Sequence, residues 1–191
     1  AITAGVTDAE IEVAAVSKVT GESALTGVYK AFEANGVQLD AKRTEVAQQE
    51  LEVTNKIAQE NANAKGFDSS KLDKAMIEIK QELAKLKEKQ GQLATKEDIE
   101  RIINDALKNN SLQNVISQDQ INALVAFAQN YQNTSAIDSK QVLEQLNSLS
   151  KSVGEKINSL VEQAKNEGWL DKIGQFFQSI FDAIKNLFSQ N

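Results

Sequence analysis

Residues 70–89 read SKLDKAMIEIKQELAKLKEK. Within them Leu72, Met76, Ile79, Leu83 and Leu86 recur at steps of four and three, so one helical face collects them. That is a heptad seam, about two turns short of establishing a coiled coil. The same period returns on both sides. Upstream, Asp40 is a candidate N-cap for a helix to about Ala64, striped thinly by Val46, Leu51, Val53 and Ile57. Gly66 to Ser70 breaks that helix, and Ser70 with Asp73 offers a capping-box-like start to the next. Downstream, Thr95 with Asp98 caps a helix carrying Ile99, Ile102, Ile103, Ala106 and Leu107, which Asn109-Asn110-Ser111 closes. Ser117 with Gln120 opens another through Ile121, Leu124, Val125, Ala128 and Tyr131. After a turn at residues 132–135, Asp138 or Ser139 starts a long helix to about Asn166. Its seam is Val142, Leu146, Leu149, Val153, Ile157, Leu160 and Ala164. The chain has no proline, so these helices run unkinked. Their short connections imply antiparallel neighbours in a bundle.

The N-terminal part reads differently. Glu10-Ile11-Glu12-Val13-Ala14-Ala15-Val16 alternates at its start and is rich in β-branched residues, which predicts a strand. A helix follows from Glu22 to Asn35, with Leu25, Val28, Tyr29 and Phe32 at helical spacing and Gly36 at its end. One strand makes no sheet, because its backbone groups need partners. The expected fold is therefore mainly α, a bundle of six to seven helices with one N-terminal β-strand left over from a truncated α/β region. The expected organisation is an α/β remnant over 1–66, the bundle over 67–167, and a separate C-terminal helix over 168–191.

That last helix carries the most concentrated apolar material. Trp169, Ile173, Phe176, Phe177, Ile180, Phe181, Ile184 and Phe188 lie on one wide face, joined by Leu170 and Leu187. Asp171, Lys172, Gln175, Gln178, Asp182, Lys185 and Asn186 face the other way, with charges summing to zero. Left in water, such a face exceeds the patches that monomers tolerate. Three sinks are open to it: the bundle, a second copy, or a membrane interface. Trp169 at one end suits an interface, while the lack of flanking basic residues gives anionic lipid little hold.

Composition excludes much else. The 191 residues contain no Cys and no His, so disulfides, thiolate nucleophiles, imidazole bases and Cys or His metal sites are ruled out. The net charge of −6, with acids and bases interspersed, argues against nucleic acid as a partner. No apolar run reaches the length of a membrane span. The opening Ala1-Ile2-Thr3-Ala4-Gly5, without an initiating Met, reads as the start of a trimmed fragment of a longer precursor.

Several patterns imitate chemistry. Thr20-Gly21-Glu22-Ser23-Ala24-Leu25-Thr26-Gly27 resembles a phosphate loop, but it lacks the Lys-Ser/Thr ending and Glu22 would repel phosphate. It reads as a strand-to-helix turn, with Gly27 permitting close helix packing. Acid–base pairs such as Glu82 with Lys85 and Glu97 with Arg101 read as solvated helix pairs. No EF-hand loop occurs. No catalytic, cofactor-binding or metal-binding residue is expected.

Residues 3–13 (TAGVTDAEIEV) and 19–28 (VTGESALTGV), with Glu50-Leu51 and Thr54, resemble the YpuA-like family of exported Gram-positive proteins carrying a domain of unknown function. The closing aromatic helix resembles the family too. The resemblance implies an extracellular or cell-surface location, a signal peptide already removed, and a strand-rich N-terminal region that would pair with Glu10–Val16. It carries over no catalytic residue. The expected function is a non-catalytic cell-envelope structural or interaction protein, using the C-terminal helix against a protein partner, a second copy or the membrane surface. The alternative is a ligand-binding or enzymatic domain with a site near Thr20–Gly27, completed by the missing N-terminal region, for which carboxylates, Lys30 or the hydroxyls of Thr20, Ser23 and Thr26 are available.

Overall fold

Local capping sets the element boundaries of the computed structural model, which describes residues 2–6 and 21–166. The strand expected at Glu10–Val16 and the helix expected over 168–191 lie outside those residues. Among the described residues every regular element is helical. They are α1 (Gly21–Ala34), α2 (Ala41–Asn61), α3 (Ser69–Gln90), α4 (Lys96–Asn109), α5 (Gln118–Gln132) and α6 (Lys140–Asn166), with a 3-10 helix at Ser135–Asp138. The chain divides into two units, residues 1–151 and 152–191.

Side-chain oxygens start most of these helices by accepting otherwise unpaired N–H groups. The Asp40 carboxylate accepts from the Arg43 N–H at 3.0 Å. Thr95 with Asp98 and Ser117 with Gln120 form reciprocal capping boxes, as their spacing predicts. At α3 the expected Ser70 and Asp73 box does not form. Asp68 is the cap, accepting from the Ser70 N–H at 2.8 Å, and α3 begins at Ser69. Gly91 ends α3 at φ 70° with its N–H on the Lys87 carbonyl, a conformation glycine adopts without strain. The turn expected at 132–135 leads into the 3-10 helix, capped by Thr134. Ser139 then accepts from the Val142 N–H at 3.3 Å and opens α6.

In unit 1–151 α3 packs on α4, α4 on α5, and α2 on α5, with α1 against α2. The core joins Leu72, Met76, Ile79 and Leu83 of α3 to Ile99, Ile103 and Leu107 of α4. Leu124, Phe127, Ala128 and Tyr131 of α5 and Val46 and Ile57 of α2 complete it. The seam of residues 72–86 is thus the centre of the bundle. Phe127 and Tyr131 pack as tilted rings 6.0 Å apart. Buried amides pin the ends of elements. Gln132 accepts from the Ala94 N–H at 2.9 Å and donates to the Ala94 carbonyl at 3.2 Å, which holds the α3–α4 connection. Gln120 donates to Glu60 at 2.7 Å and accepts from Asn61 at 3.1 Å, tying α5 to the end of α2.

Candidate functional site

A helix turns 100° per residue, so Arg43 and Glu50, seven residues apart on α2, lie along one side of it. On α3, Ile77 and Lys80 follow Asp73 at steps of four and three along one side. The segment Ile2–Val6 bonds to both helices. It is a turn closed by the Gly5 N–H on the Ile2 carbonyl at 3.0 Å, with Gly5 at φ 91°. Thr3, Ala4 and Val6 expose only 4%, 1% and 5% of their surface.

Three side chains of α2 and α3 hold the turn. The Thr3 hydroxyl donates to Glu50 Oε2. Lys80 Nζ donates to Glu50 Oε1 and lies 3.5 Å from Thr3 Oγ1. Arg43 donates its Nε to the Thr3 carbonyl at 3.0 Å and its Nη2 to the Ile2 carbonyl at 3.1 Å. A Cβ on Gly5 would stand 2.9 Å from Arg43 Cζ, so only glycine leaves room for the guanidinium. The Lys80 side chain keeps 7% of its exposure and the Glu50 side chain 20%, so this ion pair is largely withdrawn from water.

The electrostatics follow from that withdrawal. Burial pushes the Glu50 carboxyl up. Lys80 beside it, with hydrogen bonds from Lys80 and Thr3, pulls it further the other way, and the net position is below the usual value. Burial, then the Glu50 charge, raises the Tyr29 phenol, which donates to the Thr44 carbonyl at 3.4 Å. Burial and Glu50 also raise Tyr131, against the pull of Arg43. Desolvation, with Glu50 next, raises Asp73. Burial draws Arg43 down, against Tyr131 and Asp40. The Tyr131 hydroxyl is buried without a hydrogen-bond partner. The cluster is therefore one electrostatic unit with Glu50 at its centre. Chemically it can hold a short peptide segment by main-chain carbonyls and one hydroxyl.

The residues expected to form a docking face, Trp169, Ile173, Phe176, Phe177, Ile180, Phe181, Ile184 and Phe188, lie outside the described residues, as does Thr20. Of the alternative site, Gly21 starts α1, while Ser23, Thr26 and Lys30 are exposed on it. A Cβ at Gly27 would meet nothing within 4 Å, which corrects the reading that this glycine permits close packing. Glu82 pairs with Lys85 at 2.7 Å in solvent, as expected, whereas Arg101 pairs with Asp98 at 3.0 Å and not with Glu97. Among the described residues no three carboxylates gather to hold a metal ion. No described helix is long and apolar enough to cross a membrane. Sequence reasoning missed the Glu50 cluster. Its one local signal was Lys80, set on α3 directly after Ile79 and three residues from both Ile77 and Leu83.

The stretch around Thr3 and the stretch around Glu50 both carried the family resemblance, and here they touch. The sequence profile of a family described as "Protein of unknown function (DUF1002)" matches residues 1–149. The chain belongs to the DUF1002 family. A further relative is "Uncharacterized protein YpuA" of Bacillus subtilis (strain 168), 34% identical over 194 residues. That alignment covers 98% of this chain and 59% of the relative, so the DUF1002 chain described here spans about three-fifths of that protein. No solved structure matches it.

Proposed function

We propose that this DUF1002 chain is a non-catalytic structural or interaction protein of the cell envelope. Its apolar C-terminal segment, Trp169 to Phe188, is the surface that binds a protein partner, a second copy or the membrane surface. One observation supports this most. Among the described residues only Val37, Leu93 and Leu149 are large, apolar and exposed, which is ordinary surface, so the most concentrated apolar material of the sequence is that of residues 169–188. The resemblance to exported proteins supports an extracytoplasmic setting.

The test uses Trp169, the only tryptophan. Its emission is measured with and without zwitterionic and anionic vesicles, beside the association state of a chain lacking 169–191. A blue shift on lipid, or loss of association in the truncated chain with the bundle's helicity intact, supports the proposal. Unfolding of the bundle on truncation sinks it, because the segment is then core.

A further inference from the structure

The geometry points to a second interaction surface: the seat formed by α2 and α3 is a receptor for a Thr-Ala-Gly-Val segment, filled here by the chain's own residues 3–6 and able to take the same segment from a second copy.

The seat reads its occupant residue by residue. Two main-chain carbonyls go to Arg43. A hydroxyl is required at position 3, where Glu50 accepts and Lys80 stands at 3.5 Å. Position 4 carries a methyl group and is only 1% exposed. At position 5 a Cβ would displace the Arg43 guanidinium, 2.9 Å away. Position 6 buries an apolar side chain. Peptide-binding surfaces are built this way, from carbonyl-directed bonds for affinity and side-chain pockets for specificity.

The segment is buried, yet it stands apart from the main apolar cluster. The main apolar cluster is assembled from residues 46–137, and Ala4 and Val6 are not among its members. Fourteen residues, 7–20, join the segment to α1, a contour of up to about 46–50 Å. That length lets the segment of one chain reach the seat of another. Exchange of an identical element is a low-cost route to association, because the donor segment meets the contacts it makes at home.

Two full-chain variants separate the parts. Gly5→Val spoils the segment and leaves the seat. Arg43→Ala with Glu50→Gln spoils the seat and leaves the segment. Each is first checked for wild-type helicity by circular dichroism. Mixed, the second variant's segment fits the first variant's seat. Native mass spectrometry is expected to show a one-to-one heterodimer that neither variant forms with itself. In parallel, a capped synthetic peptide of residues 2–6 is expected to raise the Tm of Gly5→Val and leave the seat variant unmoved. Absence of both the heterodimer and the peptide-induced shift overturns the proposal. So does loss of the helical fold in Gly5→Val, since the segment is then part of the core.

Discussion

Lys80 of α3 donates to Glu50 of α2, and neither side chain keeps more than a fifth of its exposure to water. Two charges were desolvated to make this contact, so its value lies in the pairing and not in either group alone. Replacing only one leaves the other buried and unpaired. We expect Lys80→Met or Glu50→Leu to cost about 3–5 kcal/mol in urea unfolding. The double replacement is expected to cost clearly less than the sum. Additive losses in the double-mutant cycle would show that the two groups act independently.

Acid should weaken the fold through Glu50. Its carboxyl sits below the ordinary value of 4.5 in the folded chain, because Lys80 and Thr3 outweigh burial. A depressed carboxyl contributes stability above the unfolded value, and that contribution fades as pH falls through the folded one. The wild-type Tm is expected to drop on acidification below about pH 4.5, and Glu50→Gln to lose part of that slope.

Asp73 has the opposite sign. Partial desolvation and Glu50 raise its carboxyl above the ordinary 3.8, so the folded state binds its proton more readily than the unfolded one, by a margin that water screens because Asp73 is exposed. Its charge therefore opposes folding at neutral pH, and protonation relieves this as pH falls through the raised value. Asp73→Asn is expected to raise Tm at pH 7 and to leave it unchanged well below pH 3.8. A fall in Tm at pH 7 would contradict this.

Two glycines with positive φ make a controlled comparison. Gly91 at φ 70° has open space where a Cβ would go, whereas Gly5 at φ 91° would push a Cβ against Arg43. Gly91→Ala should cost about 1–2 kcal/mol, the left-handed penalty alone. Gly5→Ala carries the same penalty plus displacement of the guanidinium. It should therefore also speed proteolysis near residues 2–6, which Gly91→Ala should not.

The Tyr131 hydroxyl is buried and makes no hydrogen bond. Removing it leaves no partner stranded, so Tyr131→Phe should be neutral or stabilising, by up to about 1–3 kcal/mol in chemical unfolding. A comparable loss would reveal a partner for the hydroxyl. The same burial, with Glu50 nearby, holds this phenol above the ordinary 10.0, and Tyr29 shifts the same way. The folded chain, with two tyrosines, is expected to show less tyrosinate absorbance at pH 10 than the unfolded chain.

What the sequence disclosed was local. Thr95 with Asp98 and Ser117 with Gln120 announce their helices because both halves of the box lie within three residues. The seam from Leu72 to Leu83 was legible because periodicity is a property of one helix. The start of α3 was misplaced by two residues because Asp68 and Ser70 are rival caps, and only the backbone path decides between them. The 3-10 helix at Ser135–Asp138 spans four residues, too few for any period to register. The polar centre was illegible for a different reason. Thr3, Glu50 and Lys80 are 47 and 30 residues apart, and each alone resembles an ordinary surface residue. Only tertiary packing turns them inward together.

A Cβ built on Gly21, at the start of α1, would stand 3.5 Å from the Leu51 methyl groups, while Thr3 is bonded to Glu50 one residue before. Both ends of the intervening stretch are thus moored to a single turn of α2. One turn of α2 therefore anchors two separate parts of the N-terminal region, and a substitution that disturbs that turn is expected to loosen both at once.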